Sequence, residues 1–406
     1  MSLNFGFIST RIKGIDGVSL EAIKWGEVLK ACGHNCFWFA GELEDKFKRD
    51  GVEIKEAHFE FPEILSLNRE FFSSNVRDKK LNERLYGLKV LIKDELYKFI
   101  ERFNIDLLIV ENALTIPMNI PLGLAITELI AETSIPTIAH HHDFFWERER
   151  YITNCVKDIL DMAFPPDLPS IQHVVINRLA QRELAFRKGI SSIVIPNVLN
   201  FEKPVEVDSS SELKKELGYR EREPLFLQPT RIIPRKGIEL SIEILSRTKV
   251  SDKLIISHKV DKDKAYFDWL KSLSSILSIK LILLEGVNDL KTLWEVYSQA
   301  DIVLYPSRYE GFGNAFLEAI YFKKPIVINR YPVFISDIEP LGFRLIKIDS
   351  RVTEDCIEEL KRILNNSKIR EEIVEHNYRL AKRYFSYDIV YKRLSFICDT
   401  YFGLKL

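Results

Sequence analysis

The chain lacks long hydrophobic runs: no stretch approaches the roughly 20 apolar residues a helix needs to cross a bilayer. Its start runs straight into a strand-like LNFGFIST, so no signal peptide is expected. It also lacks an excess of either charge. Lysine and arginine number 58 against 59 acidic residues, which excludes a global basic field of the kind that gathers nucleic acid. Cysteine is scarce: Cys32, Cys36, Cys155, Cys356 and Cys398 are odd in number and scattered. Cys32 and Cys36 have no second pair to complete a zinc site, so all five read as reduced thiols of a cytoplasmic protein. What remains is a balance of 46% hydrophobic and 29% charged residues, that of a globular protein. At 406 residues the chain is long for one hydrophobic core, and two domains of about 200 residues are expected.

Short apolar runs alternate with longer segments of helical period, the signature of strands and helices around parallel sheets. The first half offers FGFIS, CFWFA, LLIVE, PTIAH, HVVIN and SIVIP; the second offers LFLQP, KLIIS, LILLE, IVLYP, PIVIN and FRLIKI. About six parallel strands are therefore predicted in each half. Between them, residues 195–224 mix prolines, a serine run and charge, which places a boundary near residue 200. The expected organisation is a first domain over 1–200, a second over 201–380, and a C-terminal helix over 381–406 that returns to the first. The fold class is α/β: two Rossmann-like doubly wound domains facing across a cleft at the carboxyl ends of their strands, braced by C-terminal helices.

Three loops carry glycine or charge at such strand ends. After the first strand, Gly14 and Gly17 precede a helix, either as a plain turn or as bare backbone approaching an anion. After the first strand of the second half, QPTRIIPRKG places Arg231 and Lys236 beside a helix start. They are either solvent-facing charges or a fork and a point charge for a diphosphate. In YPSRYEGFGNAFLEAI, Gly311 and Gly313 strip side chains from a turn, with Glu310 before it and Glu318 two helical turns beyond. A carboxylate beside a phosphate is electrostatically costly, so Glu310 reads as an acceptor for neutral hydroxyls rather than a phosphate ligand.

TRIIPRKG and EGFGNAFLE, with IVLYPS before the latter and KKPIVI after it, resemble the retaining nucleotide-sugar glycosyltransferases of GT-B fold, family GT4. GIDGVSLEAIKWGEVLKACGHNCFWFAGE is similar to the family's glycine loop, and IPNVLNF to the entry to its second domain. The resemblance implies that Arg231 and Lys236 bind the donor diphosphate. It implies that the amides of Gly311, Phe312, Gly313 and Asn314 hold phosphate and sugar. Glu310 would face the transferred sugar and Glu318 the ribose hydroxyls; Gly286 to Leu290 would read the base, and Gly17 would lie on the donor side. This chain departs from the family where IISHKVD replaces a glycine-rich VGDG, bringing His258 near the nucleotide or reshaping the loop. It departs again in the spread of Gly14 and Gly17.

PTIAHHHDFFWERER ends a first-domain strand with His140, His141 and His142 before Asp143. Metal binding, structural histidines and contact with the donor sugar are all open readings. Neighbours at a strand end alternate faces, which keeps the three imidazoles from converging on one ion. The resemblance favours the sugar contact and points to His142, with His140 on the same face. Phe144, Phe145, Trp146, Glu147 and Arg148 would line the acceptor side, and Asp143, Trp146 and Arg148 are the acceptor candidates.

The reaction implied is transfer of a hexose from a UDP-, GDP- or ADP-linked sugar to a hydroxyl of a small soluble acceptor: a sugar, a glycerate-type solute or a sugar phosphate. His142, Arg231, Lys236 and Glu310 would carry the chemistry, with retention at the anomeric carbon, no cofactor and no metal. DKDK at 261–264 is a poor metal-binding candidate. A GT-B phosphorylase, an epimerase-like enzyme or a non-catalytic nucleotide-sugar-binding protein are the alternatives. No nucleic-acid partner is expected. The amphipathic stretch 81–103 reads as a helix packed on its sheet in preference to a membrane-surface helix. The oligomeric state is not legible.

Overall fold

The computed structural model describes residues 2–14, 16–204, 213–257, 264–284 and 290–406, with the backbone alone at 290–292. The chain divides into two compact units: Met1–Pro196 with Tyr387–Leu406, and Asn197–Ser386.

The first unit is built on strands β1 (Asn4–Ser9), β2 (Asn35–Ala40), β3 (Gly51–Glu53), β4 (Leu107–Glu111), β5 (Thr137–His141), β6 (Ile171–Val175) and β7 (Ser192–Val194). The second holds β8 (Phe226–Gln228), β9 (Lys253–Ile256), β10 (Lys280–Leu283), β11 (Ile302–Tyr305), β12 (Ile326–Asn329) and β13 (Ile346–Ile348). The strand orders are β3-β2-β1-β4-β5-β6-β7 and β10-β9-β8-β11-β12-β13, parallel at each pairing. The first sheet thus has seven strands where six were expected. β3 escaped because it is a three-residue edge strand starting at a glycine, with no apolar run of its own; it is held by pairing Gly51–Glu53 to Trp38–Ala40.

In each sheet the strand order reverses once, between β1 and β4 in the first and between β8 and β11 in the second. Such reversal points open a crevice at the carboxyl ends, because the flanking crossovers leave to opposite faces. The chemistry-bearing segments lie there. His142 follows β5 and Glu111 ends β4, while the Arg231–Lys236 and Glu310–Asn314 loops follow β8 and β11.

Helices cover both sheets as amphipathic layers. Lys79–Phe103 turns Leu81, Leu85, Ile92, Leu96 and Phe99 inward. Its Lys89 and Lys93 pair with Glu128 and Glu132 on the helix Ile120–Thr133. The apolar stripe is therefore consumed by packing within the unit. Helix Tyr387–Phe402 buries Val390, Leu394, Ile397 and Cys398, and Tyr387 donates to Glu27 of helix Gly17–Ala31 at 2.7 Å. All five cysteines are free thiols. No helix among the described residues is long and apolar enough to cross a membrane.

Beneath the first sheet's carboxyl end runs a buried polar chain. His141 Nδ1 lies 2.5 Å from Thr115 Oγ1, and its Nε2 lies 2.9 Å from His173 Nδ1. Burial pushes both imidazoles down, His141 well below its usual value and His173 to about 4. The unfolded chain, with histidine near 6.5, therefore binds more protons than the native one between these values. Stability is full above about pH 6.5 and declines as pH falls toward 4, by at most about 1.4 kcal/mol per pH unit per histidine. Melting temperatures of the wild type and His173→Gln across pH 7.5 to 4.5 check this. The wild type should lose stability more steeply than the variant, and parallel curves would contradict it.

Candidate functional site

In the second unit the loop after β8 is folded back on itself by Gln228. Its buried amide donates to Thr230 Oγ1 (3.3 Å) and to the carbonyl of Lys236 (3.0 Å). Gly237 then takes a positive φ of 61°, and a Cβ there would stand 2.5 Å from the carbonyl oxygen of Pro306. Only glycine lets the helix Ile238–Thr248 start so close to the end of β11. This approach brings Lys236 against Glu310, both buried and in direct ion-pair contact through Nζ and Oε1. Arg235 Nη1 reaches the other carboxylate oxygen at 3.0 Å and the carbonyl of Tyr309 at 2.7 Å.

Burial pushes Glu310 up, but Lys236 and Arg235 outweigh it and hold the carboxyl below its usual range. Burial likewise pulls Lys236 down, with Glu310 opposing and Arg235 and Arg231 adding to the fall. Arg231 is exposed on the same loop. Sequence reasoning named Arg231 and Lys236 and passed over Arg235, which reads as one more loop cation until its carboxylate partner, 75 residues away, is in place.

The turn after Glu310 is set by aromatic hydroxyls. Gly313 has φ 115°, and a Cβ there would sit 2.9 Å from Tyr305 Oη and 3.0 Å from Tyr331 Oη. Tyr331 donates to the carbonyl of Phe312 at 2.6 Å. Phe312 is itself buried, edge-on to Phe385 with ring centroids 5.2 Å apart, so its side chain anchors the turn. Helix Asn314–Tyr321 begins here with no side-chain cap on its first turn, while Asn314 Oδ1 accepts from Asn197 at 2.7 Å. An uncapped helix start beside bare backbone and two cations is a ready anion site.

One further turn along, Glu318 is buried, and the fully buried Tyr297 donates to its Oε2 at 2.9 Å. Tyr297 carries no local sequence signal, since it sits in the apolar stripe of helix Leu290–Gln299 and stacks on Phe322. Of the residues expected to read the base, Gly286 lies outside the described residues and Leu290 opens that helix. His258 and residues 261–263 also lie outside them.

In the first unit the anion expected at Gly14 and Gly17 meets a competitor. Asp16 caps helix Gly17–Ala31, its Oδ1 accepting from the amides of Val18 (3.1 Å) and Ser19 (3.0 Å). The chain's own carboxylate thus takes two of the amides at the helix start that follows Gly17. At the ends of β4 and β5, His140 and His142 share a face, as strand period requires, and His141 turns the other way into the Thr115–His173 chain. The acid they meet is Glu111 of the neighbouring strand: Oε2 lies 2.9 Å from His140 Nδ1 and 3.3 Å from His142 Nε2.

These three residues bring ligand atoms within 4.8 Å of one another, a donor set able to hold a metal ion. Asp143 instead takes Arg148, and accepts from Asn112 Nδ2 at 3.1 Å. The acceptor-side aromatic platform needs correction at Phe144. That ring is fully buried, packed with Val175, Ala180, Leu184 and Ile190, because the chain after His142 turns inward over β6 and helix Arg178–Lys188. Trp146 stacks on it at 4.4 Å beneath the Arg187 guanidinium.

Residues 209–380 match the family described as glycosyl transferases group 1. The chain is 35% identical over 411 residues to the mannosylglucosylglycerate synthase of Thermotoga maritima, covering 92% of this chain and 94% of that one. The chain belongs to the group 1 glycosyltransferases. A second relative of this glycosyltransferase, the mannosylglucosylglycerate synthase of Petrotoga mobilis, is 33% identical over 384 residues, covering 86% and 87% of the two chains. The crystal structure of a glycosyltransferase from Rickettsia africae matches with a TM-score of 0.73 at 15% identity, over 98% of each chain. That likeness carries the fold, which is GT-B.

Tyr297→Phe keeps the ring and its stacking and removes one hydrogen bond from Glu318. A hydrogen bond to a charged group is worth about 1.5–3 kcal/mol. Donor binding, followed by titration calorimetry, should weaken roughly tenfold while the melting temperature moves by only a few degrees. Unchanged affinity would show that Glu318 does not bind the donor.

Proposed function

We propose that this glycosyltransferase moves a hexosyl group from a nucleoside diphosphate sugar to a hydroxyl of a small glycerate-type acceptor, with retention at the anomeric carbon and without a metal ion. The observation that carries the donor half is the group of Lys236, Arg235 and Glu310 beside the uncapped turn Gly311–Asn314. Two cations and the backbone amides of a helix start without a side-chain cap suit a diphosphate, and the two carboxylates suit sugar and ribose hydroxyls. The acceptor half is supported by the two relatives, whose names place a glycerate in their product.

In this reading Glu310 holds the place of the donor in the empty enzyme, since it is the anion that Lys236 and Arg235 already neutralise. An incoming diphosphate competes for those cations and frees the carboxylate to accept from hydroxyls of the transferred sugar. As the sugar–oxygen bond breaks, negative charge gathers on the leaving diphosphate, where Lys236 and Arg231 stabilise it more than in the ground state. The acceptor hydroxyl attacks from the leaving-group face and gives its proton to the departing phosphate, which yields retention without a protein nucleophile. His142, just after β5, is the candidate for contact with the reacting sugar. Asp143 with Arg148 is the candidate for the acceptor; the guanidinium matches a glycerate carboxylate.

The test is a panel of UDP-, GDP- and ADP-linked mannose and glucose against glycerate and glucosylglycerate, with the product's anomeric configuration read by proton NMR. Transfer with retention and undiminished activity in EDTA is expected; an inverted product or loss of activity in chelator would overturn the mechanism. Lys236→Ala should reduce kcat on the order of 100-fold, by comparison with removal of a single oxyanion donor. Glu310→Gln should also slow transfer, yet bind the bare nucleoside diphosphate at least as tightly as wild type, because a competing anion is gone. Calorimetry with the diphosphate would expose the opposite outcome as weakened binding.

A further inference from the structure

We propose that Glu111 and Asn112, adjacent at the end of β4, are positioning residues of the transfer reaction. Glu111 fixes the ring of His142, and Asn112 fixes the backbone and the carboxylate that follow it. The proposal deepens the functional reading above and rests on it in one respect, that His142 acts on the substrate.

Glu111 is fully buried, and two imidazoles share its Oε2, at 2.9 Å from His140 and 3.3 Å from His142. A carboxylate oxygen this close to two ring nitrogens is the acceptor for both. Both contacting nitrogens must then donate: Nδ1 of His140 and Nε2 of His142. With Nε2 turned to the carboxylate, Nδ1 is the His142 nitrogen that faces away from it, the one we assign to a substrate hydroxyl. His140 lies stacked on Trp25 with ring centroids 4.2 Å apart, so it cannot swing away from Glu111, and it closes one side of the space His142 turns in.

Asn112 completes the clamp. It sits in the left-handed region, φ 59°, where asparagine is among the few side-chain residues that rest without large strain. From there its Oδ1 accepts the backbone N–H of His142 at 3.0 Å, its Nδ2 donates to Asp143 at 3.1 Å, and its own N–H donates to the carbonyl of His140 at 2.9 Å. Two residues at the end of one strand thus hold three at the end of the next by both backbone and side chains. None of these contacts needs a ligand to form.

The experiment uses the full chain labelled with 15N-histidine, with His140→Ala and His142→Ala for assignment, alongside kinetics of Glu111→Ala and Asn112→Gly. Asn112→Gly keeps the left-handed backbone accessible and removes both side-chain bonds. In the wild type at neutral pH, His140 should be found protonated at Nδ1 and His142 at Nε2, and Glu111→Ala should abolish the fixed pattern. Asn112→Gly should lower kcat about tenfold and Glu111→Ala at least 30-fold, with donor KM within about threefold of wild type.

His142 protonated at Nδ1, or kcat unchanged in Asn112→Gly, would overturn the proposal even if Glu111→Ala fails to fold. Zinc ion titrated alone that binds one to one and is lost in Glu111→Ala would also overturn it, since the cluster would then be a metal site. A fully active His142→Ala would instead sink the functional reading of His142, while the ring tautomers would still report whether Glu111 orients it.

Discussion

Lys236 is a cation taken out of water, and such a charge persists only if an anion accompanies it. In the empty protein that anion is Glu310, contributed from the end of a different strand, and the second unit's site is shaped by the need to bring the two together. Gly237 exists without a side chain so that the helix after Lys236 can close on Pro306, the last step before Glu310. Gln228 folds the loop so that Lys236 points to that side. Removing either partner would strand the other as an uncompensated buried charge, which is strongly destabilising. A diphosphate offers Lys236 and Arg235 more negative charge than Glu310 does.

The two units make opposite use of the same device. Each carries glycine before a helix at the carboxyl end of its sheet, where backbone N–H groups gather. In the first unit Asp16 fills the position and the helix is capped from within. In the second, Gly313 has no side chain to offer and its φ excludes most others, so helix Asn314–Tyr321 starts uncapped. The difference of one residue before the helix separates a start capped by its own side chain from one without a side-chain cap.

The strands were legible because buried parallel strands read as unbroken apolar runs, LLIVE and IVLYP among them; β3, three residues long at an edge, has no such run. The site was legible where its residues stand close in sequence, as in the glycine turn with its flanking acids. It was illegible where strands or helices distant in sequence meet: Arg235 with Glu310, Tyr297 with Glu318, and Glu111 with His140 and His142. Strand period alone told His140 and His142 from His141, yet nothing local tells which neighbouring strand carries the acid. Phe144 shows the limit from the other side, since an aromatic next to charged residues looks exposed until the chain is seen to turn inward.

The most direct measurement is an experimental structure with a nucleoside diphosphate bound. The account predicts phosphate oxygens at about 2.7–3.2 Å from Lys236 Nζ and from backbone amides of the Gly311–Asn314 turn. The Lys236–Glu310 contact should be opened and the Asp16 cap left intact. A diphosphate seated instead on the Gly14–Gly17 loop, or bound with the Lys236–Glu310 pair unbroken, would contradict it.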